Sequence, residues 1–168
     1  MKISGNSVVP VAPDRAYALL QDPIILAKCM PGTDHLAKVG EDEYEMKMKM
    51  AIASISGLFA GKVKIADQHP PVSFKLIVEG NGKIGFVKGE GVLNLAPDGD
   101  SSTDVKYDGD VQVGGTIAAV GQRLLDATSK LIIKKFFQKF SEAAKEGAVH
   151  GTNQPGAETA VTETPKPQ

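Results

Sequence analysis

The stretch Gly114–Phe140, GGTIAAVGQRLLDATSKLIIKKFFQKF, decides the fold. Apolar positions recur in it at three- and four-residue spacing, through Ile117, Val120, Leu124, Leu125, Thr128, Leu131 and Ile132, then Phe136 and Phe140. That is the spacing of one buried helix face. No proline interrupts it, and at 1.5 Å rise per residue such a helix extends about 40 Å, enough to cross a small domain. No other stretch of the chain carries a long helical pattern. The segments before it read as short strands, so the sequence predicts a sheet wrapped around one helix. The functional question is whether the space between them is filled or hollow.

Working outward, residues 2–11 read as a first strand ending near Pro10, followed by a short helix over Arg15–Gln21 and a second helical turn over Ile24–Cys29. Met30-Pro31-Gly32-Thr33 is a turn, proline fixing φ and glycine supplying the unusual backbone angle. From Asp34 the period changes to two. In Tyr44–Ile52, Tyr44, Met46, Met48, Met50 and Ile52 alternate with Glu45, Lys47 and Lys49, the pattern of a half-buried strand. Leu58–Asp67 places Phe59, Val63 and Ile65 on one face, and Val72–Glu79 groups Phe74, Leu76 and Val78. In Gly82–Leu95 the parity slips between Ile84/Phe86 and Leu93/Leu95, which predicts a bulge around Gly89–Gly91. Thr103–Val113 alternates again, with Val105, Tyr107, Val111 and Val113 on one side. Successive strands joined by short turns require antiparallel pairing.

Composition bounds the function. With 42% hydrophobic and 23% charged residues in 168, the chain can bury the core of one soluble domain. A formal net charge of −1 gives no electrostatic case for nucleic acid. The single cysteine, Cys29, fits a reducing compartment. The N-terminus lacks the apolar run of a signal peptide. The longest uncharged runs are about 12 residues against about 20 for a membrane span. The expected location is therefore cytoplasmic. After residue 146 the composition turns to Gly, Pro, Thr, Glu and Gln, so residues 147–168 are expected to be a disordered tail on a domain of 1–146.

The usual catalytic constellations are weak here. Gly80-Asn81-Gly82-Lys83-Ile84-Gly85 spells G-x-G-x-x-G, but a strand-like segment follows where a dinucleotide site needs a helix, so it reads as a hairpin turn. His35, His69 and His150 are isolated, which argues against a metal site. Cys29 reads as a packed small residue rather than a reactive thiol. Asp22, Asp34, Asp67 and Glu90 have no paired partner for acid–base work. No catalytic residue is assigned.

Two features point to binding. Met46, Met48 and Met50 supply flexible thioether side chains, poor material for a uniquely packed core but suited to an apolar guest of variable shape. At the end of the long helix, lysines flank an apolar sector containing Ile132, Phe136, Phe137 and Phe140. That sector is displaced around the helix from Ile117, Leu124 and Thr128. Either the helix bends as it packs, or Lys130, Lys134, Phe137, Lys139 and Phe140 form an exposed surface for a membrane or a partner.

With these residues in place, the chain resembles the carbon monoxide dehydrogenase G-subunit family of the START/Bet v 1-like, polyketide cyclase-like superfamily. The matching pieces are Asp22-Pro23…Leu26-Ala27-Lys28-Cys29-Met30-Pro31-Gly32, Gly57-Leu58-Phe59-Ala60-Gly61-Lys62-Val63 and Gly82-Lys83-Ile84-Gly85…Gly89-Glu90-Gly91. Tyr107…Val111-Gln112-Val113-Gly114-Gly115-Thr116-Ile117-Ala118…Gly121-Gln122-Arg123-Leu124-Leu125 completes the set, and the match covers about residues 1–145. Thr33 stands where the family often has cysteine, and Ala51–Ser54 replaces an expected Gly-Pro. The resemblance implies an α+β helix-grip fold: a seven-stranded antiparallel curved sheet around a long C-terminal helix, with two short helices after strand 1. It also implies a non-enzymatic role beside a molybdenum hydroxylase of the carbon monoxide dehydrogenase type, recruiting it to the inner face of the cytoplasmic membrane and handling respiratory quinone. Some members carry a membrane-attaching extension. The tail here, with Pro155, Pro165 and Pro167, does not resemble one.

The sequence therefore predicts a carrier whose cavity binds a non-covalent isoprenoid quinone or other lipid, with no covalent cofactor. The expected cavity liners are Met46, Met48, Met50, Phe59, Val63, Leu76, Phe86, Tyr107, Leu124 and Thr128, with Tyr107 and Thr128 offering polar tips to a quinone carbonyl. The alternatives are a ligand-free adaptor that docks the dehydrogenase on the membrane, and a cyclase- or hydrolase-type enzyme on the same fold.

Overall fold

Short turns leave each new strand beside its predecessor, and a computed structural model, which describes residues 1–52 and 54–152, shows the outcome. The elements are β1 (Lys2–Val9), α1 (Pro13–Leu19), α2 (Pro23–Cys29), β2 (Thr33–Gly40), β3 (Glu43–Ile52), β4 (Ile55–His69), β5 (Ser73–Gly82), β6 (Gly85–Pro97), β7 (Thr103–Gly114), a 3₁₀ segment (Gly115–Val120) and α3 (Gln122–Thr152). The seven strands form one antiparallel sheet in the order β1-β7-β6-β5-β4-β3-β2. Strands β2 to β7 follow one another as a meander. The α1–α2 excursion carries the chain from one sheet edge, β1, to the other, β2. The sheet curls into a half-barrel around α3, the helix-grip architecture.

Local chemistry accounts for the elements. Asp22 caps α2, its carboxylate accepting from the Ile24 N–H at 2.9 Å, and Pro23 occupies the first turn, where its missing N–H costs nothing. The Gly80–Gly85 motif is a two-residue hairpin, Gly82 opposite Gly85 with Lys83-Ile84 at the turn. Ile117 N–H donates to Ile84 C=O at 2.8 Å, pinning that turn against the 3₁₀ segment. Gly85 (φ 136°) and Gly115 (φ 81°) lie back to back at this contact, where a Cβ on Gly115 would fall 2.6 Å from the Gly85 Cα.

Three expectations are corrected, and one strand that the sequence pattern left undelimited is placed. The helix does not begin at Gly114: the backbone breaks at Gly121, whose φ of 97° suits glycine, and α3 starts at Gln122. Its last residue is Thr152, past both Phe140 and the boundary at 146, while the rest of the expected tail, 153–168, lies outside the described residues. No bulge interrupts β6, whose register with β5 and β7 runs unbroken through Gly89–Gly91. Finally, β2 is a strand that the sequence pattern does not delimit. It is an edge strand with register shifts at Thr33/His35 and Lys38/Gly40, which scramble its alternation.

The core divides into two clusters. The larger joins β1, α1 and the far ends of β5–β7 to the end of α3, with Val9, Phe74, Val105 and Phe140 essentially inaccessible. Thr103, also fully buried there, donates its hydroxyl proton to Val11 C=O at 2.7 Å. The smaller cluster is Met48, Phe59, Ile117 and Leu125, surrounded by half-buried Met30, Met46, Met50 and Val87. Between the two the interior is hollow.

Candidate functional site

The hollow is an apolar chamber of about 410 Å³ between the concave sheet face and α3. Strand alternation places its walls. Met46, Met48 and Met50 reach in from β3, Phe59 and Val63 from β4, Leu76 and Val78 from β5, and Val87 and Leu93 from β6. Opposite them α3 contributes Ile132, Ile133, Phe136 and Phe137, and the α1–α2–β2 excursion closes one side with Leu20, Leu26, Met30 and Leu36. Gly61 and Gly80, cross-strand neighbours, also line it, so two inward positions carry no side chain. Missing bulk on the sheet and flexible methionines leave this end of the gap open.

The polar groups are few and mostly spent. The Tyr44 hydroxyl donates to Gln21 C=O at 2.6 Å, and Tyr17, outside the lining and edge-on to Phe74, reaches Gln68 Oε1 at 2.9 Å and Ser73 C=O at 3.2 Å. Burial pushes both phenols above their ordinary value of 10.0. Tyr107 differs: it lines the chamber, stacks on Phe137 with ring centroids 5.8 Å apart at 19°, and its hydroxyl has no hydrogen-bond partner among the described residues. Cys29 is fully buried, and desolvation lifts its thiol above the usual 9.0 despite the pull of Lys139 and Lys28. Glu79, the one carboxylate residue touching the chamber, is exposed and alternates with inward Val78, so it contributes main chain. Among the described residues the wall therefore presents no side-chain acid–base pair. Asp22 is spent as a helix cap, and Glu90 pairs with Lys75 at 3.1 Å on the outer face. Among the described residues no group of His, Cys, Asp or Glu is placed to hold a metal ion, and no helix is long and apolar enough to cross a membrane.

Of the expected liners, Met46, Met48, Met50, Phe59, Val63, Leu76 and Tyr107 surround the chamber and three do not. Phe86 is 42% exposed on the outer face, because the Lys83-Ile84 turn resets the phase and Val87 points inward instead. Leu124 (37% exposed) and Thr128 lie off the chamber, because a helical phase carried from Ile117 does not survive the break at Gly121. With α3 starting at Gln122, Leu125, Ile132, Phe136 and Phe140 share the inward stripe. The expected interaction surface is corrected on the same ground. Phe137 (7% exposed) and Phe140 (0%) are core, while Lys130, Lys134 and Lys139 remain exposed. Among the described residues of α3 the exposed large apolar side chains are Leu124 and Leu131, one heptad apart.

A half-barrel gripping a C-terminal helix over an apolar chamber defines a START-like, helix-grip fold. It is shared, at 14% identity and TM-score 0.64, with a START superfamily protein from Mycobacterium smegmatis, matching 86% of this chain and 97% of that one. The Zhui aromatase/cyclase from Streptomyces sp. R1128 has it too, at 13% identity and TM-score 0.57 over 96% of this chain and 99% of that one. More narrowly, residues 5–145 match the carbon monoxide dehydrogenase G-subunit (CoxG) family, and the chain belongs to that family. A conserved protein from Geobacillus kaustophilus is 35% identical with a TM-score of 0.83, over 87% of this chain and 96% of that one. No curated protein matches significantly.

Proposed function

We propose that the chamber takes one end of an isoprenoid quinone and that the protein carries it to a molybdenum-containing dehydrogenase of the carbon monoxide dehydrogenase type. The observation that supports this most is an apolar chamber with one unbonded hydroxyl, Tyr107, at its edge. A volume of about 410 Å³ falls within the range of about 300–1,000 Å³ usual for small-molecule sites. It suits a quinone ring with a short length of chain rather than a whole long-chain molecule. Burying isoprene surface contributes about 25 cal/mol per Å², so a few hundred Å² supplies several kcal/mol, enough to hold the ligand reversibly. Tyr107 then donates to a quinone carbonyl and fixes which end enters.

Contact with the inner membrane face falls to the outer side of α3. Leu124 and Leu131 are exposed there, and Lys135 follows Leu131 at helical spacing. Enzymes occur on the same fold, including a norcoclaurine synthase from Thalictrum. The absence of a side-chain acid–base pair in the described chamber wall favours carriage over turnover here.

Organic extraction of the purified protein followed by mass spectrometry tests the reading. Quinone in the extract is the expected result. A clean extract, together with no binding of an added short-chain quinone, overturns the carrier and leaves a docking protein.

A further inference from the structure

A second concavity, of about 940 Å³, lies on the far side of Tyr107, between edge strand β1 and α3. It and the chamber share Tyr107, Ile133 and Phe137, so these three residues partition one space from the other. The two sides differ in chemistry. Lys2, Lys130, Lys134 and Lys145 line the groove against only Asp126 and Glu142. Asp126 already accepts a hydrogen bond from Gln122 Nε2 at 2.9 Å, and none of the four lysines has an ion-pair partner among the described residues. The chamber, by contrast, can solvate a chain but offers no charged group to a head.

We propose that the groove is the head-group site for a single-chain amphiphile with an anionic head, whose chain passes between Tyr107 and Phe137 into the chamber. The excess of unpaired cations selects a carboxylate or phosphate head. The partition fits a passage: Tyr107 and Phe137 are nearly parallel rings joined by no hydrogen bond, so parting them breaks one aromatic contact. On the other flank, Tyr107 lies over Gly5, its neighbour on β1, where an added Cβ would sit 2.5 Å from the hydroxyl oxygen. The bare backbone of the edge strand thus sets the hydroxyl at the boundary, within reach of a head group. The head-group site rests on a chamber that accepts a chain, whether or not the chain is a quinone's.

The test is titration calorimetry of the full chain with dodecanoate, dodecanol and acetate. Dodecanoate is expected to bind about tenfold more tightly than dodecanol at low ionic strength, with the preference shrinking in high salt. Acetate should not compete. A Lys130→Gln/Lys134→Gln double variant should lose most of the preference while keeping dodecanol affinity and melting temperature. The outer-face control Lys62→Gln/Lys64→Gln should keep it. Equal affinity for acid and alcohol, competition by acetate, or an unaffected lysine double variant overturns the head-group site. So does binding to anionic phospholipid vesicles with no uptake of monomeric dodecanoate, which assigns the lysines to a membrane surface. Failure to bind quinone with the dodecanoate preference intact overturns the carrier reading and leaves this one standing.

Discussion

The gap between sheet and α3 is finished differently at its two ends. At one, rings and branched side chains with few rotamers close it completely: Phe74, Phe140, Val9 and Val105 are inaccessible, and the nearby Tyr17 and Tyr44 hydroxyls are hydrogen-bonded. At the other, Met30, Met46 and Met50 are only half-buried, and Gly61 and Gly80 leave gaps in the sheet's inner face. The difference separates two tasks. Close packing at one end holds the sheet on the helix, which lets the other end stay open without unfolding the domain.

The sharpest way to break that contrast is truncation on each side. Phe140→Ala should cost about 3–5 kcal/mol, because the packed end cannot collapse around the loss. Met46→Ala on the chamber wall should cost about 1 kcal/mol, since part of its surface already faces empty space. Urea denaturation measures both, and equal losses would erase the distinction. Hydroxyl removal gives a smaller pair of effects. Tyr44→Phe should lose about 1 kcal/mol with its bond to Gln21, whereas Tyr107→Phe should change stability by less than about 0.5 kcal/mol. The latter should instead weaken quinone affinity roughly 3- to 10-fold in a binding titration.

The smallest effect is on pH. Burial raises the Cys29 thiol above 9.0 and the Tyr17 and Tyr44 phenols above 10.0. Each group holds its proton more tightly folded than unfolded. Its contribution to stability is therefore intact below its ordinary value and lost as pH climbs beyond it. The denaturation midpoint should stay level through neutral pH and decline above about pH 9, and Cys29→Ala should move the onset toward the tyrosine range. A midpoint unchanged up to about pH 11 would contradict the burial at the packed end.

Strand faces were legible in the sequence wherever the alternation ran between well-marked turns, which is why Met46, Met48, Met50, Phe59, Val63, Leu76 and Tyr107 meet around the chamber. The family resemblance supplied the seventh strand and the grip. Phase was lost only where a glycine resets the backbone. Gly121 starts α3 afresh and turns Leu125 inward instead of Leu124, and the two-residue turn before Gly85 sends Phe86 outward and Val87 in. Carrying a helical phase across Gly121 also makes buried Phe137 and Phe140 look like surface. Leu20, Leu26 and Leu36 were beyond reach, because they close the chamber through tertiary packing of α1, α2 and an irregular edge strand.

The central claim is that the chamber itself is the place a quinone goes. Met48 is buried and points into it, so Met48→Trp should occupy that volume while leaving the packed end untouched. Titrating lipid-stripped wild type and this variant with a short-chain quinone decides the matter. The account predicts one-to-one binding to wild type and its loss in Met48→Trp, at similar melting temperatures. Equal binding by both proteins would place the quinone elsewhere and contradict it.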